Sequence, residues 1–309
     1  MKTALKIVVG LLVLLVIAAV VAFVFLRSNA DTIAERLIER GGTRALGVET
    51  TVDAAKVGLG DGSLAIDGLA VANPPIGAGA GEAGYASERF LTLENGAVSI
   101  DPRTIADAVR GGTAVIPELT LSGITVNLER VGGASNYRQI LDNLGAFEKG
   151  GEPAPPEEGG ANVVVRRLTL SDITVNARYN PGPGLGALAG QVAEIADVSV
   201  SVPEITLTDI GTAEPISVAE LTGVVVKALL EASVNAAGEQ LPGDLRETLR
   251  NQLANLRPLS ELGIGGLEDL GAVGERVRDA AEQLREGVEG FLGRPGGERE
   301  PDGADGDRR

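Results

Sequence analysis

The sequence predicts an α+β protein, mostly β, with an N-terminal transmembrane helix, an antiparallel β-rich body of repeated bulged strands, and amphipathic helices toward the C-terminus. Three observations carry this expectation. Ile7 to Leu26 is an uninterrupted run of apolar residues and glycine. A phrase recurs in the middle of the chain, Leu119-Thr120-Leu121-Ser122-Gly123-Ile124-Thr125-Val126-Asn127 and again Leu168-Thr169-Leu170-Ser171-Asp172-Ile173-Thr174-Val175-Asn176. After residue 217 the apolar spacing changes from period two to three-four, which is the change from strand to helix.

Taken in order, residues 1–27 are a cytoplasmic tip and transmembrane segment. Twenty residues of helix span about 30 Å, the thickness of bilayer hydrocarbon. Lys2 and Lys6 precede the run, so the positive-inside bias puts the N-terminus in the cytoplasm and exports the body. A cleaved signal peptide is the competing reading, because Ser28-Asn29-Ala30 fits a cleavage site, although the run is longer than a usual signal core. Residues 28–47 read as a juxtamembrane helix, with Asp31 as N-cap and Gly41-Gly42 as an interruption.

Residues 48–215 read as the exported β domain, with strands near 49–58, 62–72, 89–100, 114–130, 163–179 and 193–210. Two short helices are expected within it, Thr104 to Arg110 and Tyr137 to Leu144, the latter capped by Asn136 or Ser135. The Pro-, Glu- and Gly-rich stretch 150–161 is a linker. Weaker copies of the phrase begin at Leu64 and Ile205. In each copy a small polar pair shifts the apolar alternation by one residue. A β-bulge keeps both halves facing one core; a two-residue hairpin turn is the alternative.

Residues 216–293 form a helical region. Ser217-Val218-Ala219-Glu220 has the form of a capping box, Ser at N-cap and Glu at N3. Helices should follow at 218–236, 243–256 and 267–292. In the last, Leu270, Val273, Val277, Leu284 and Phe291 make one apolar seam, suited either to its own sheet or to a partner helix. Residues 294–309 are a disordered acidic tail.

Composition excludes several functions. There is no His and no Cys, so triads, His-based zinc sites and thiolate chemistry have no residues to use. Residues 1–30 hold three cations and no acid within a net charge of −16, so the rest of the chain carries −19. Such a body repels nucleic acid. Gly79 to Gly84 matches GxGxxG, but Pro74-Pro75 precede it where a strand is needed. No catalytic, cofactor-binding or metal-ligating residue is assigned, and no cofactor is expected.

The order of motifs resembles the AsmA-like family of bacterial inner-membrane-anchored envelope proteins. The resemblance rests on the N-terminal apolar segment, Ala45-Leu46-Gly47-Val48, Gly68-Leu69-Ala70-Val71-Ala72-Asn73-Pro74, Val98-Ser99-Ile100-Asp101-Pro102, Ile116-Pro117-Glu118-Leu119 and Asn136 to Leu144. It covers roughly residues 1–215, and the chain departs from the family in its short length and in Asn136-Tyr137 where an Asn-Leu pair is usual. The resemblance implies a single-pass inner-membrane protein with a periplasmic body, non-enzymatic, acting in envelope biogenesis, outer-membrane assembly or lipid transport. A β-groove for phospholipid or another apolar ligand would be lined by Leu119, Leu121, Ile124, Val126, Leu168, Leu170, Ile173 and Val175. The alternative is a closed core of the same residues, in a ligand-free scaffold or interaction protein with an envelope protein as partner.

Overall fold

The computed structural model describes residues 29–58, 60–76, 84–108, 110–150, 162–180, 196–237, 241 and 243–266. The apolar run 7–26, most of the linker and of the GxGxxG match, and the region from 267 onward lie outside these residues. Among the described residues no helix is long and apolar enough to cross a membrane.

The chain begins with helix α1 over 29–46. Three strands follow, β1 (Thr50–Gly58), β2 (Ser63–Ala72) and β3 (Arg89–Ser99), then the short helix α2 (Pro102–Ala108). Next come β4 (Thr113–Ile116), β5 (Glu118–Val131), β6 (Ala134–Ser135), α3 (Asn136–Glu148) and the long β7 (Asn162–Asn180). The chain then forms β8 (Ala196–Val202), β9 (Ile205–Ile210), β10 (Ile216–Ser217), α4 (Val218–Ala237) and α5 (Gly243–Ala254). A 3-10 turn at Leu259–Leu262 closes the described part. The strands build one sheet, in the order β1-β2-β3-β5-β7, with β8, β9 and β10 sharing the far side of β7. The sheet curls into a half-barrel.

The expectation of a wholly antiparallel body is corrected. β5 and β7 run parallel, as do β4 and β7. The reason lies in the connection: α3 sits between β5 and β7, and a crossover through a helix returns the chain in the same direction. The two copies of the phrase therefore pair with themselves in register, Leu119 beside Leu168, Ile124 beside Ile173, Asn127 beside Asn176.

Each copy of the phrase is an unbroken strand, so the hairpin reading fails. Gly68, Gly123, Asp172 and Asp209 all adopt positive φ, between 51° and 61° for the two aspartates. This left-handed residue absorbs the shift in alternation, and the apolar side chains on either side of it stay inward. The bulge expectation needs one refinement. A bulge sets two residues against one on the neighbour, yet pairing here keeps its count across the irregularity. Every neighbour changes phase at the same level. Asp53, Gly68, Glu94, Gly123 and Asp172 lie opposite one another in turn, forming one transverse crease through five strands. A Cβ on Gly123 would lie 2.7 Å from the Glu94 side chain, and one on Gly68 would strike Asp53. Asp209 belongs to a second level, opposite Arg166.

Helix α4 fills the concave side. Leu221, Val224, Val226, Leu229, Leu230 and Val234 are buried, and they point in all directions around the axis, the pattern of an internal helix. It packs on β7 and β8, and α5 packs on both α3 and α4. Gly223 permits close approach to α3, since a Cβ there would lie 2.8 Å from Leu144. The capping box forms as expected: Glu220 Oε2 accepts from Ser217 N–H at 2.7 Å, and Ser217 Oγ accepts from Glu220 N–H at 3.2 Å. Buried Lys227 donates to Glu148 Oε1 at 2.6 Å and to the Arg257 carbonyl at 2.8 Å, tying α3 and α4 to the segment after α5. One turn on, burial holds the Glu231 carboxyl above the ordinary glutamate range, with Lys227 partly offsetting it.

Candidate functional site

The eight residues expected to line a groove do come together, on the inner face of β5 and β7. Seven of them, all but Leu121, are between 0% and 6% exposed and belong to the continuous core; Leu121 is half-buried against it. Of the two arrangements expected, these residues adopt the closed core among the described residues, with α3 packed on β5 and α4 on β7 and β8. The seam residues Leu270, Val273, Val277, Leu284 and Phe291 lie outside the described residues.

A polar site lies on the opposite face, where the alternation of β5 and β7 puts Asn127, Glu129, Asn176 and Arg178. Together with Ala86, Ser87, Asp197, Val198 and Ser199 they line a recess of about 280 Å³. Its floor is an amide ladder. Ser199 Oγ donates to Asn176 Oδ1 (2.9 Å), Asn176 Nδ2 donates to Asn127 Oδ1 (3.0 Å), and Asn127 Nδ2 donates to the Arg89 carbonyl (2.9 Å). Arg178 clasps Asp197, its Nε 2.9 and 3.1 Å from the two carboxylate oxygens. This hydrogen bonding holds the Asp197 carboxyl below its usual range. Glu129 is 2% exposed, and its two oxygens accept the backbone N–H groups of Ala86 and Ser87 at 2.6 and 2.7 Å. Tyr85 stands beside it, and burial, then the Glu129 charge, push its phenol up.

Chemically the recess is a closed network. Glu129 and Asp197 both spend their oxygens on fixed donors, so neither is poised as a free base. Among the described residues no cluster of three or more acidic side chains could hold a metal. Of the two caps expected for α3, Ser135 holds the N-cap position without a side-chain cap bond, and Asn136, next to the recess, is a tether. Its Oδ1 accepts from Glu129 N–H and Tyr137 N–H, and its Nδ2 donates to Asn73 Oδ1 and the Asn127 carbonyl. Asn73 in turn donates to the Ser87 carbonyl. The signal for this network was already in the repeat, since both copies end on Asn.

The two long edges of the sheet complete the picture. Along β1, Thr50, Val52, Ala55 and Val57 send their N–H groups outward. They meet Thr43 Oγ1 (3.0 Å), Glu39 Oε1 (3.1 Å), Glu35 Oε1 (3.1 Å) and Asp31 Oδ1 (2.8 Å). The geometry works because four residues of helix rise about 6 Å, close to the 6.7 Å of two strand residues. Asp31 therefore serves the strand and is not an N-cap, and α1 runs unbroken through Gly41-Gly42. Both glycines are places of contact: a Cβ on Gly42 would lie 2.7 Å from Thr50, and one on Gly41 2.8 Å from Val218. On the other side, Thr208 of β9 exchanges two hydrogen bonds with Gly265 at 3.0 and 2.8 Å. β8 pairs with β7 alone among the described residues.

No family model matches the chain, and no curated protein matches it.

Proposed function

We propose that this chain is a membrane-anchored, non-enzymatic protein of the bacterial cell envelope whose β body serves as a scaffold or interaction module. The observation that carries the reading is the helical cover of the sheet, α3 against β5 and α4 against β7 and β8, with the apolar residues of β5 and β7 inside one continuous core. The apolar run Ile7 to Leu26 supports the anchor and the periplasmic orientation of the body. The order of AsmA-like motifs supports the envelope setting. Two of those motifs, the turn containing Asn73 and the helix start at Asn136, are joined by a direct hydrogen bond of 2.8 Å. The saturated Glu129 and Asp197 support a body without catalysis.

Transport of phospholipid along a β-groove is the competing reading, and one experiment separates them. The full chain in detergent micelles is exposed to a photoactivatable phospholipid, and the adducts are mapped by mass spectrometry. Adducts confined to residues 1–28 are expected. Adducts on 119–126 or 168–175, abolished in a folded Leu121→Asp variant, would replace the scaffold with a carrier.

A further inference from the structure

The far edge of the sheet is built differently from any other part of its surface. β8 alternates Val198, Val200 and Val202 inward with Asp197, Ser199 and Ser201 outward. Among the described residues, its outward backbone groups meet no strand, helix or side-chain cover. An edge of this kind is a template for one more strand, and proteins normally blunt it, most often with Lys. Here the opposite charge prevails. From Ala196 to Ser217 there are four acids, Asp197, Glu204, Asp209 and Glu214, all exposed, and no Lys or Arg. On the neighbouring strand β7 stand Arg166, Arg167 and Arg178, and Arg178 is held by Asp197.

We propose that the outer edge of β8 is a strand-addition site for an extended, basic segment of a partner protein, a proposal that rests on the interaction role above. Main-chain bonds to alternate residues of 197–202 supply the affinity, and side chains on alternate positions supply the choice of partner. An added strand lies about 4.8 Å outside β8. Its outer-face side chains then stand beside Asp197 and Ser199, which form the near wall of the polar recess. A Lys or Arg there joins Arg178 at the Asp197 carboxylate, beside a stretch with no cation of its own, whereas an acidic segment meets like charge. The continuation of the same edge already takes an antiparallel residue in this way, where Gly265 bonds to Thr208.

The test uses the full chain in micelles and three short labelled peptides. One alternates Val or Thr with Lys. The second has Glu in place of each Lys. The third keeps Lys but is N-methylated at every second amide. Affinity is read by fluorescence anisotropy, and the site by hydrogen exchange. The Lys peptide is expected to bind at least about ten-fold more tightly than either control, with new protection confined to 197–202. Asp197→Lys should weaken it by a similar factor. Equal binding of the N-methylated peptide would reduce the effect to general charge attraction and overturn the proposal. So would absence of binding, or protection elsewhere. Edge amides that exchange slowly before any peptide is added would also overturn it. Slow exchange at every dilution would mean that the chain covers its own edge; slow exchange only at high concentration would mean a second copy. Lipid adducts on the strands, in the experiment above, would remove the scaffold role while leaving the edge result standing, so the two failures are separable.

Discussion

Along β1, four outward N–H groups find oxygens from one stripe of α1, Asp31, Glu35, Glu39 and Thr43; along β8, the outward groups find nothing among the described residues. Both edges belong to one sheet, and both are flanked by acidic side chains. What differs is direction. The α1 carboxylates turn toward the backbone and act as acceptors that a neighbouring strand would otherwise provide. Asp197 of β8 turns to Arg178 and Asp209 of β9 is exposed, and among the described residues neither carboxylate accepts from the edge backbone. Acidic residues at a sheet edge thus close it or advertise it, according to whether a helix carries them across the N–H row.

The largest expected effect comes from opening the closed edge. Glu35→Ala with Glu39→Ala leaves the Val52 and Ala55 N–H groups without acceptors. Hydrogen bonds to charged partners contribute about 1.5–3 kcal/mol each, less where solvent can replace the partner, so the pair should lose about 2–4 kcal/mol in urea denaturation. Hydrogen exchange should quicken at Val52 and Ala55 and stay unchanged in β8. A loss under about 0.5 kcal/mol would erase the distinction between the edges.

Gly42→Ala is the intermediate case. Alanine favours the helix by about 1 kcal/mol, but its Cβ would press on Thr50, and overpacking costs about 1–3 kcal/mol. A net loss of about 1 kcal/mol is expected, with faster exchange of the β1 edge amides. A net gain would mean that α1 rides loosely on β1.

The smallest effect is expected at the open edge, from Asp197→Asn. Exposed ion pairs contribute about 0–1 kcal/mol. The sign with pH is definite. Asp197 has its carboxyl lowered by the hydrogen bonds from Arg178, so its contribution is present above the ordinary carboxylate range and is lost as pH falls through the lowered value. Wild type and variant should differ slightly at neutral pH and converge in acid. A difference that persists in acid would assign the effect to packing.

Much of the fold was legible before any coordinates. Period-two alternation gave the outer limits of the strands within a few residues, because in a half-buried sheet each side chain reports its own face, but it merged β4 with β5 across Pro117 and β8 with β9 across Pro203-Glu204. Ser217 and Glu220 announced α4 because a capping box is local chemistry. The parallel pairing of β5 and β7 was harder to read: it depends on α3 crossing over, and the strand pattern alone carries no direction. The choice between groove and core was not in the strands at all. Leu168 or Ile173 has the same sequence pattern whether a helix or an acyl chain covers it, and only the placement of α4 decides. The edge strap was readable in principle. Asp31, Glu35, Glu39 and Thr43 are spaced by four, but their target lies on a strand whose neighbour on that side had first to be known to be missing.

The shared crease has a consequence for how this chain can vary by descent. Asp53, Gly68, Glu94, Gly123 and Asp172 form a common level, so the five strands are tied to one count of residues. Deleting residue 123 alone would make the alternation of β5 continuous while β3 and β7 kept their crease, so that beyond this level β5 could not both pair in register and keep Ile124, Val126 and Leu128 inward. No such penalty attaches to adding or removing a residue in the connections between strands. A change of residue count at the crease of one strand therefore calls for a matching change in its neighbours, whereas the turns carry no such constraint.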